Sequence, residues 1–346
     1  MSRLVIPKLA FLMHIPEMYY HYAPVLHRLP PESFDIILPD EPDPALVQLL
    51  DRHDYPLALI SELLSARTMY KYLITDHLFL QDYHLLQNLG VHQIRMLSEL
   101  GFDRLQLGND NRFYDLILNF GRYQTQKLGF CRDTRFRSVG WPRMDRWFEG
   151  MDINVPELLN QFNCDRYRPV LLWTPTWGDL SSIEAYAEML ASLTDRYNLI
   201  VKPHDYTLLE EPERMHLLRQ QHFQQVITEP VDELLLYAVA DYVLADYGNS
   251  PFGALYTEQR IILLDLPDAF SHPLTGFGSS DIILRNYFPS IDSSDNADAL
   301  VRLIEGPDLW KQTVRYHRMR DRLFAPVYGR AAEEAATVLG AVDQFL

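Results

Sequence analysis

Cysteine occurs only at Cys131 and Cys164, which excludes a disulfide framework. No C-x-x-C pair and no His/Cys group at zinc spacing is present, so no structural metal is expected. Long apolar runs are missing too. None reaches the ~18 residues of a membrane span, and Lys8 interrupts the short apolar stretch between Met1 and His14. Positive charge is scarce: 31 Lys and Arg stand against 47 Asp and Glu, for a formal charge of -16. That balance argues against a nucleic-acid partner and against a polybasic hold on anionic lipid. A local lysine, arginine or helix terminus can still bind an anion, so any phosphate site is expected in a pocket. Low-complexity tracts and solenoid repeats are also absent. The expected setting is a soluble, cytoplasmic protein.

What is present fits two globular domains. The chain has 346 residues, 47% hydrophobic and 23% charged, more than a single core usually holds. Short apolar runs alternate with helical patterns, the mark of β-α units around parallel sheets. In the first half, strands are expected at Leu9–Met13, Phe34–Leu38, Leu57–Ile60, Lys71–Ile74, Asp115–Asn119 and near Phe136–Val139. Helices are expected over Met18–Leu29 and Pro44–Arg52, the second with Asp43 as N-cap and Pro44 in the first turn.

The pattern breaks around Gly140–Asp145 and restarts with strands at Val170–Trp173, Leu199–Val201, Gln225–Ile227, Tyr242–Ala245 and Ile261–Leu264. Helices are expected over Ser182–Arg196, Pro212–Gln221, Val231–Tyr237, Ala297–Glu305, Leu309–Leu323 and Ala331–Phe345. The expected division is a Rossmann-like domain over 1–148, a second over 149–325, and a tail over 326–346 that packs back on the first domain. Two doubly wound sheets facing across a cleft would place ligands beyond the carboxyl ends of their strands.

Residues just past those ends are the candidates: His14, Thr174-Pro175-Thr176-Trp177, Lys202-Pro203-His204 and Asp246-Tyr247-Gly248-Asn249-Ser250. The last run joins a buried strand to a helix expected from Pro251, with Asn249 or Ser250 as its cap. Free amides and the helix dipole there favour phosphate. A capped turn without a ligand is the plainer reading, and Asp246 repels an anion unless it bonds a sugar or backbone group. Lys202 offers charge to a pyrophosphate, and an imidazolium at His204 can donate a hydrogen bond to a leaving phosphate. His92 precedes a segment in which Ile94, Leu97 and Leu100 have helical spacing, and an imidazole there can take a proton from an acceptor hydroxyl. His77 and His84 lie close by in sequence and compete for that role. Trp141, Trp147 and Trp173 read as core, whereas Trp177, in a loop after Pro175, is open to stacking on a base or sugar.

Together these segments resemble the CDP-glycerol glycerophosphotransferase family, GT-B-like enzymes of teichoic-acid-type polymer synthesis. The resemblance runs from about Asn88 to the C-terminus. Val91-His92-Gln93 through Leu100-Gly101 stands where that family has Trp-His-Gly-Thr-Pro-Leu-Lys and then Leu-Gly. Tyr114–Leu118, Val139–Asp145, Thr174–Trp177, Lys202–His204, Asp246–Tyr247 and Tyr328–Glu333 match further segments in order. Gly178, Gly248, Asn249 and Gly253 depart from it.

The resemblance implies transfer of glycerol phosphate, or a related polyol phosphate, from a CDP-activated donor to an acceptor hydroxyl. His92 would be the base. Lys202, His204 and the turn Asp246-Tyr247-Gly248-Asn249-Ser250, with Thr176 and Trp177, would hold the donor as CMP leaves. It implies no cofactor and no protein-held metal, and a polyol-phosphate or glycan acceptor; a lipid-linked acceptor would be met at the inner membrane face through a partner. A GT-B glycosyltransferase using a UDP- or CMP-sugar is the alternative, and an inactive GT-B-like binding module the third reading.

Overall fold

The computed structural model describes residues 3–76, 82–229, 231–306 and 313–346. The chain divides into two compact units. The first comprises Met1–Ser98, Leu107–Glu149 and Asp321–Leu346, and the second Glu99–Gln106 and Gly150–Arg320. Two features differ from the expected division: the chain belongs to the first unit again from Asp321, and the short segment Glu99–Gln106 belongs to the second.

The first unit is built on strands β1 (Leu4–Leu12), β2 (Phe34–Leu38), β3 (Leu57–Leu59), β4 (Thr68–Thr75), β5 (Gly90–Met96), β6 (Leu116–Asn119) and β7 (Arg135–Ser138). They form one parallel sheet in the order β3-β2-β1-β4-β5-β6-β7. The order reverses direction between β1 and β4, so the carboxyl ends of those two strands flank the switch point of the sheet. On one face, Phe11, Ile36, Ile74, Ile94 and Leu116 are buried against helix Pro16–Leu26 and the C-terminal helix Ala331–Gly340. The C-terminal helix is fixed at its start by Asp145, whose buried carboxylate accepts from the Ala331 and Ala332 amides at 3.0 and 2.7 Å. Asp43 caps helix Pro44–Leu50 through the amides of Ala45 and Leu46, with Pro44 at its first position.

The second unit carries β8 (Val170–Thr174), β9 (Asn198–Val201), β10 (Gln225–Val226), β11 (Tyr242–Ala245), β12 (Ile261–Asp265) and β13 (Ser290–Asp292). They pair in parallel as β10-β9-β8-β11-β12-β13. Every residue of β8, β9 and β11 is buried, as expected of strands covered on both faces. The reversal here lies between β8 and β11. Among the described residues no helix is long and apolar enough to cross a membrane.

Two strands depart from the sequence reading. Gly90–Met96 is a strand, not a lead into a helix. From Gln93 onward it is buried on both faces and includes the polar Gln93 and Arg95, so it shows neither alternation nor an unbroken apolar run. The three-residue strand Ser290–Asp292 sits at the sheet edge with only Ile291 buried, too short to leave a pattern. The expected helix from Leu309 begins, among the described residues, at Thr313.

Residues 99–106 leave the end of β5 and join the second unit as a docked limb. The Leu100 amide donates to Asn249 Oδ1 at 3.1 Å and the Phe102 amide to Asp281 Oδ2 at 2.9 Å. Ser280 returns two bonds, from its amide to Asp103 Oδ2 at 3.1 Å and from its hydroxyl to the Leu100 carbonyl at 2.9 Å. The approach is so close that a Cβ on Gly101 would lie 2.1 Å from the carbonyl carbon of Gly248. Backbone cannot yield to that contact as a flexible side chain can. Gly101→Ala is therefore expected to destabilise the second unit by roughly 3 kcal/mol, the upper end for overpacking. A thermal melt should show its transition lowered by about 6 °C or more, whereas Gly129→Ala, whose nearest added contact is 3.3 Å, should melt close to wild type.

Candidate functional site

The candidate site of the second unit lies at the carboxyl edge of β9, β8 and β11, three neighbouring strands. The interior of this edge is a set of carboxylates bonded to backbone. Asp246, fully buried, accepts from the amides of Thr176 at 2.9 Å, Ser182 at 2.8 Å and Tyr247 at 2.7 Å. Asp281, equally buried, accepts from Gly248 at 2.9 Å as well as from Phe102. Burial raises both carboxyl pKa values, Asp246 to about 6 and Asp281 to about 7, and the hydrogen bonds they accept limit the rise.

Beneath the turn, the Arg285 guanidinium lies 3.7 Å from the centre of the Tyr247 ring. It also bonds Asp265 Oδ1 at 2.6 Å and the Asp246 carbonyl at 2.7 Å. Gly248 adopts φ +82°, a conformation that L side chains rarely adopt.

This geometry corrects part of the sequence reading. Asp246 and Tyr247 are buried, at 0% and 1% exposure, and they brace the turn from inside. The amides of Tyr247 and Gly248, expected to meet phosphate, are taken by Asp246 and Asp281. Asn249 stands at the N-cap position of helix Ser250–Tyr256 but makes no side-chain cap bond; its oxygen receives the Leu100 amide instead. Thr176 is buried as well, with its amide on Asp246.

The accessible rim is formed by Trp177, Lys202, His204, Asn249 and Ser250, each half-buried or exposed. Trp177 is the centre of an aromatic group, with ring centroids 5.0 Å from Tyr206, 6.2 Å from His204 and 6.4 Å from Phe102. Glu211 anchors its loop by accepting from the Gly178 amide at 2.9 Å, from Arg214 at 2.6 Å and from the Thr207 hydroxyl at 2.7 Å. Burial alone would raise the Glu211 pKa, but these hydrogen bonds outweigh it and hold the carboxyl below its ordinary value. Lys202 bends back to Asp205 at 2.6 Å and to the Pro203 carbonyl at 2.9 Å, so a phosphate there competes with a neighbouring carboxylate.

His204 caps helix Asp205–Glu210 through Nδ1, which accepts from the Tyr206 amide at 3.1 Å. The lone pair on Nδ1 is thus in use, and the ring is the tautomer with a proton on Nε2. Desolvation lowers its pKa, although the residue is exposed, and loss of the cap on protonation acts in the same direction. The lowered pKa favours the neutral imidazole, with Nε2–H left as its donor, over the imidazolium expected from sequence.

The first unit places its histidines differently from expectation. His92 is the third residue of β5, at the amino end of the sheet; its Nδ1 lies 3.5 Å from Asp115 and its ring stacks on Tyr72 at 5.8 Å. The strand ends four residues later at Met96, so His92 is not at a carboxyl edge. His84 is exposed on helix Tyr83–Leu89, and His77 lies outside the described residues. Among the described residues, His14 alone of the histidines named from sequence stands just past a strand end in this sheet. Trp141 and Trp173 are core: Trp141 stacks on Phe120 at 4.6 Å, and Trp173 bonds Ser182 Oγ at 3.0 Å. Asp281, Arg285 and Phe102 left no signal in the sequence, because the bonds by which they hold Gly248, Asp246 and Asp265 reach chain 20 or more residues away. Among the described residues no group of three or more His, Cys, Asp or Glu side chains is arranged to hold a metal.

No protein-family model matches this sequence, and no curated protein sequence does. Solved structures do. The wall teichoic acid polymerase TagF superposes with a TM-score of 0.65 at 14% identity, over 98% of this chain and 90% of that one. HepE from Anabaena, solved in complex with UDP-glucose, gives 0.63 at 11% identity over 98% of this chain and all of its own, 100%. A putative UDP-N-acetylglucosamine 2-epimerase from Listeria monocytogenes gives 0.64 at 13% identity over 99% and 97%. The chain has the GT-B fold of these proteins, the α/β fold with two parallel sheets expected from the sequence.

Two outcomes follow from the buried carboxylates. Asp246→Asn turns an amide N–H toward backbone donors, and leaving a buried donor unsatisfied costs about 1–3 kcal/mol. The variant should melt several degrees lower with any nucleotide affinity of the surviving folded protein little changed; unchanged melting with lost affinity would mark Asp246 as a ligand contact. Asp281 gives a pH signature. Its raised native pKa means that the folded state holds the proton more tightly than the unfolded chain. Its contribution to stability is therefore largest below the unfolded value near 3.8 and is lost as pH rises toward about 7. The loss of melting temperature between pH 4.5 and 7.5 should be smaller in Asp281→Asn than in wild type.

Proposed function

We propose that this chain is a transferase that binds a nucleotide-linked donor at the carboxyl edge of the second sheet. On this reading it moves a glycerol phosphate or related polyol phosphate from a CDP-linked donor to an acceptor hydroxyl. The observation that carries the proposal is the rim at the switch point of that sheet. There a lysine, a neutral histidine with Nε2–H available, two small polar side chains and an indole converge at the edge where open α/β sheets bind ligands.

The assignment of roles follows from chemistry. The ammonium of Lys202, released from Asp205, supplies a positive charge for the diphosphate. His204 donates through Nε2 to the oxygen that gains charge as the nucleotide leaves, which needs no prior protonation. Asn249 and Ser250 supply further donors beside it. Trp177 offers an apolar face for a base or sugar. The donor is a substrate, and no resident metal or cofactor enters this reading. The CDP-linked donor rests on the motif order Thr174–Trp177, Lys202–His204 and Asp246–Tyr247. The proposed setting is cytoplasmic, with the acceptor, polyol phosphate or glycan, brought by a partner if it is lipid-linked.

Transfer of a sugar from a UDP-linked donor is favoured instead by one feature: glycine and asparagine at 248 and 249 leave that turn without the two serines of the resembling family.

A thermal-shift panel of CDP-glycerol, CDP, CMP, UDP and UDP-glucose tests both readings. A donor at 100 times its Kd stabilises the folded state by about 2.7 kcal/mol, a shift of several degrees. CDP-glycerol should give the largest shift. Lys202→Ala and His204→Ala should each weaken binding roughly tenfold or more, the weight of a hydrogen bond to a charged group. Selective stabilisation by UDP compounds would move the assignment to a glycosyltransferase, and no response to any nucleotide would leave only a binding module.

A further inference from the structure

The amino edge of the first sheet, opposite the strand ends at which open α/β sheets bind ligands, carries a cavity of its own. Strands β6 and β7 start side by side, with Leu116 opposite Arg135, and the segments that enter them meet there. Residues 109–113 form the turn before β6, and residues 129–134 the loop before β7. The Thr134 hydroxyl donates to the Asn111 carbonyl at 3.4 Å and the Arg135 amide to the Asp115 carbonyl at 2.8 Å, which ties the two segments together. The cavity between them has a volume of about 450 Å³ and is lined by Arg112 and residues 129–134. That size suits a small ligand.

Two guanidiniums, Arg112 and Arg132, belong to that lining. Arg112 lies over the Phe130 ring, 5.3 Å from its centre. Its charge is felt at the buried Cys131 thiol, whose pKa burial raises and Arg112 lowers in part. Among the described residues neither guanidinium has a carboxylate partner, although Asp133 lines the same cavity. The local charge is exceptional for this chain. Residues 112–137 hold six cations, Arg112, Arg122, Lys127, Arg132, Arg135 and Arg137, against Asp115 and Asp133, a balance of +4 in a chain of -16. Arg137 is occupied by the Phe345 ring and Lys127 by the Tyr123 ring, whereas Arg112 and Arg132 remain at the cavity. Like charges on a concave surface raise its potential and draw an anion to it.

We propose that this cavity is an anion site for a phosphate monoester or pyrophosphate group, held by Arg112 and Arg132. A guanidinium is planar and always charged, and its N–H groups form a fork that matches two phosphate oxygens, a geometry that an ammonium lacks. The two forks come from different segments, one before each strand, so the tie between Thr134 and Asn111 fixes the span that the anion bridges. The Phe130 ring holds Arg112 in place and offers an apolar surface to the carbon part of an ester. Asp133 opposes the anion and sets the affinity below what two arginines alone would give. None of these residues enters the donor site of the second unit, so the two sites stand or fall separately.

Hydrogen exchange and calorimetric titration of the full chain with inorganic pyrophosphate test the site. Pyrophosphate should slow exchange across residues 129–134. Lys202 can also take phosphate, so the titration is read in Lys202→Ala, where the protection of 129–134 should persist. Arg112→Gln and Arg132→Gln should each weaken binding roughly tenfold, the weight of a hydrogen bond to a charged group, and Arg112→Lys and Arg132→Lys should lose less. Both arginines are exposed, so these variants should melt close to wild type. Asp133→Asn should strengthen binding several-fold, because a like charge is removed. Flotation with vesicles of phosphatidylcholine and phosphatidic acid identifies the source of the phosphate. Flotation that both Gln variants lose assigns it to a lipid headgroup, and pyrophosphate binding without flotation assigns it to a soluble ester. Exchange across 129–134 that neither pyrophosphate nor vesicles alter would overturn the proposal, as would binding that both Gln variants retain.

Discussion

Two buried carboxylates carry the carboxyl edge of the second sheet. Asp246 ties the end of β11 to the loop after β8, and Asp281 ties the turn at Gly248 to the limb 99–106. Between them they accept from five backbone amides at Thr176, Ser182, Tyr247, Gly248 and Phe102. A loop at a strand end has no ladder partner for its amides, and a buried amide without a partner costs as much as a lost hydrogen bond. The carboxylates meet that need from inside, and Arg285 offsets part of the Asp281 charge while bonding the Asp246 carbonyl.

That arrangement separates the work of holding from the work of binding. Residues that fix the turn face inward and are saturated. The side chains left on the outside, Trp177, Lys202, His204, Asn249 and Ser250, are attached to a rigid frame and so are held close to one geometry. The same economy appears in the first unit, where Asp145 begins the C-terminal helix. The Gly140–Asp145 and Tyr328–Glu333 motifs meet there, and Gly329 lies so close to Phe148 that a Cβ would approach its side chain to 2.8 Å. Several motifs that carry the resemblance are thus framework.

Much of the fold was legible because its determinants are local. Phe34–Leu38 and Tyr242–Ala245 are short apolar runs bounded by turns, and Asp43-Pro44 is a helix start that needs no distant partner. Strand β5 was not legible, since its buried Gln93 and Arg95 interrupt the apolar pattern; they are accommodated by partners such as the Leu86 and Gly90 carbonyls and Asn111. The candidate site was legible as an address. Strand ends were found by pattern, and His14, Trp177, Lys202 and His204 stand just past them. Their roles were not, because burial and hydrogen bonding decide which side chain at a strand end faces out.

By itself the sequence determined two parallel α/β sheets, the position of most strand ends and the residue types gathered there, because periodicity and turn chemistry are properties of neighbouring residues. Only the tertiary structure decided that Asp246 is a buried brace, that His204 caps a helix through Nδ1, that His92 lies at the amino end of its strand, and that His14 and Asp76 share one edge. Each of those facts depends on strand order and on solvent exclusion, which arise when residues far apart in the chain are packed side by side.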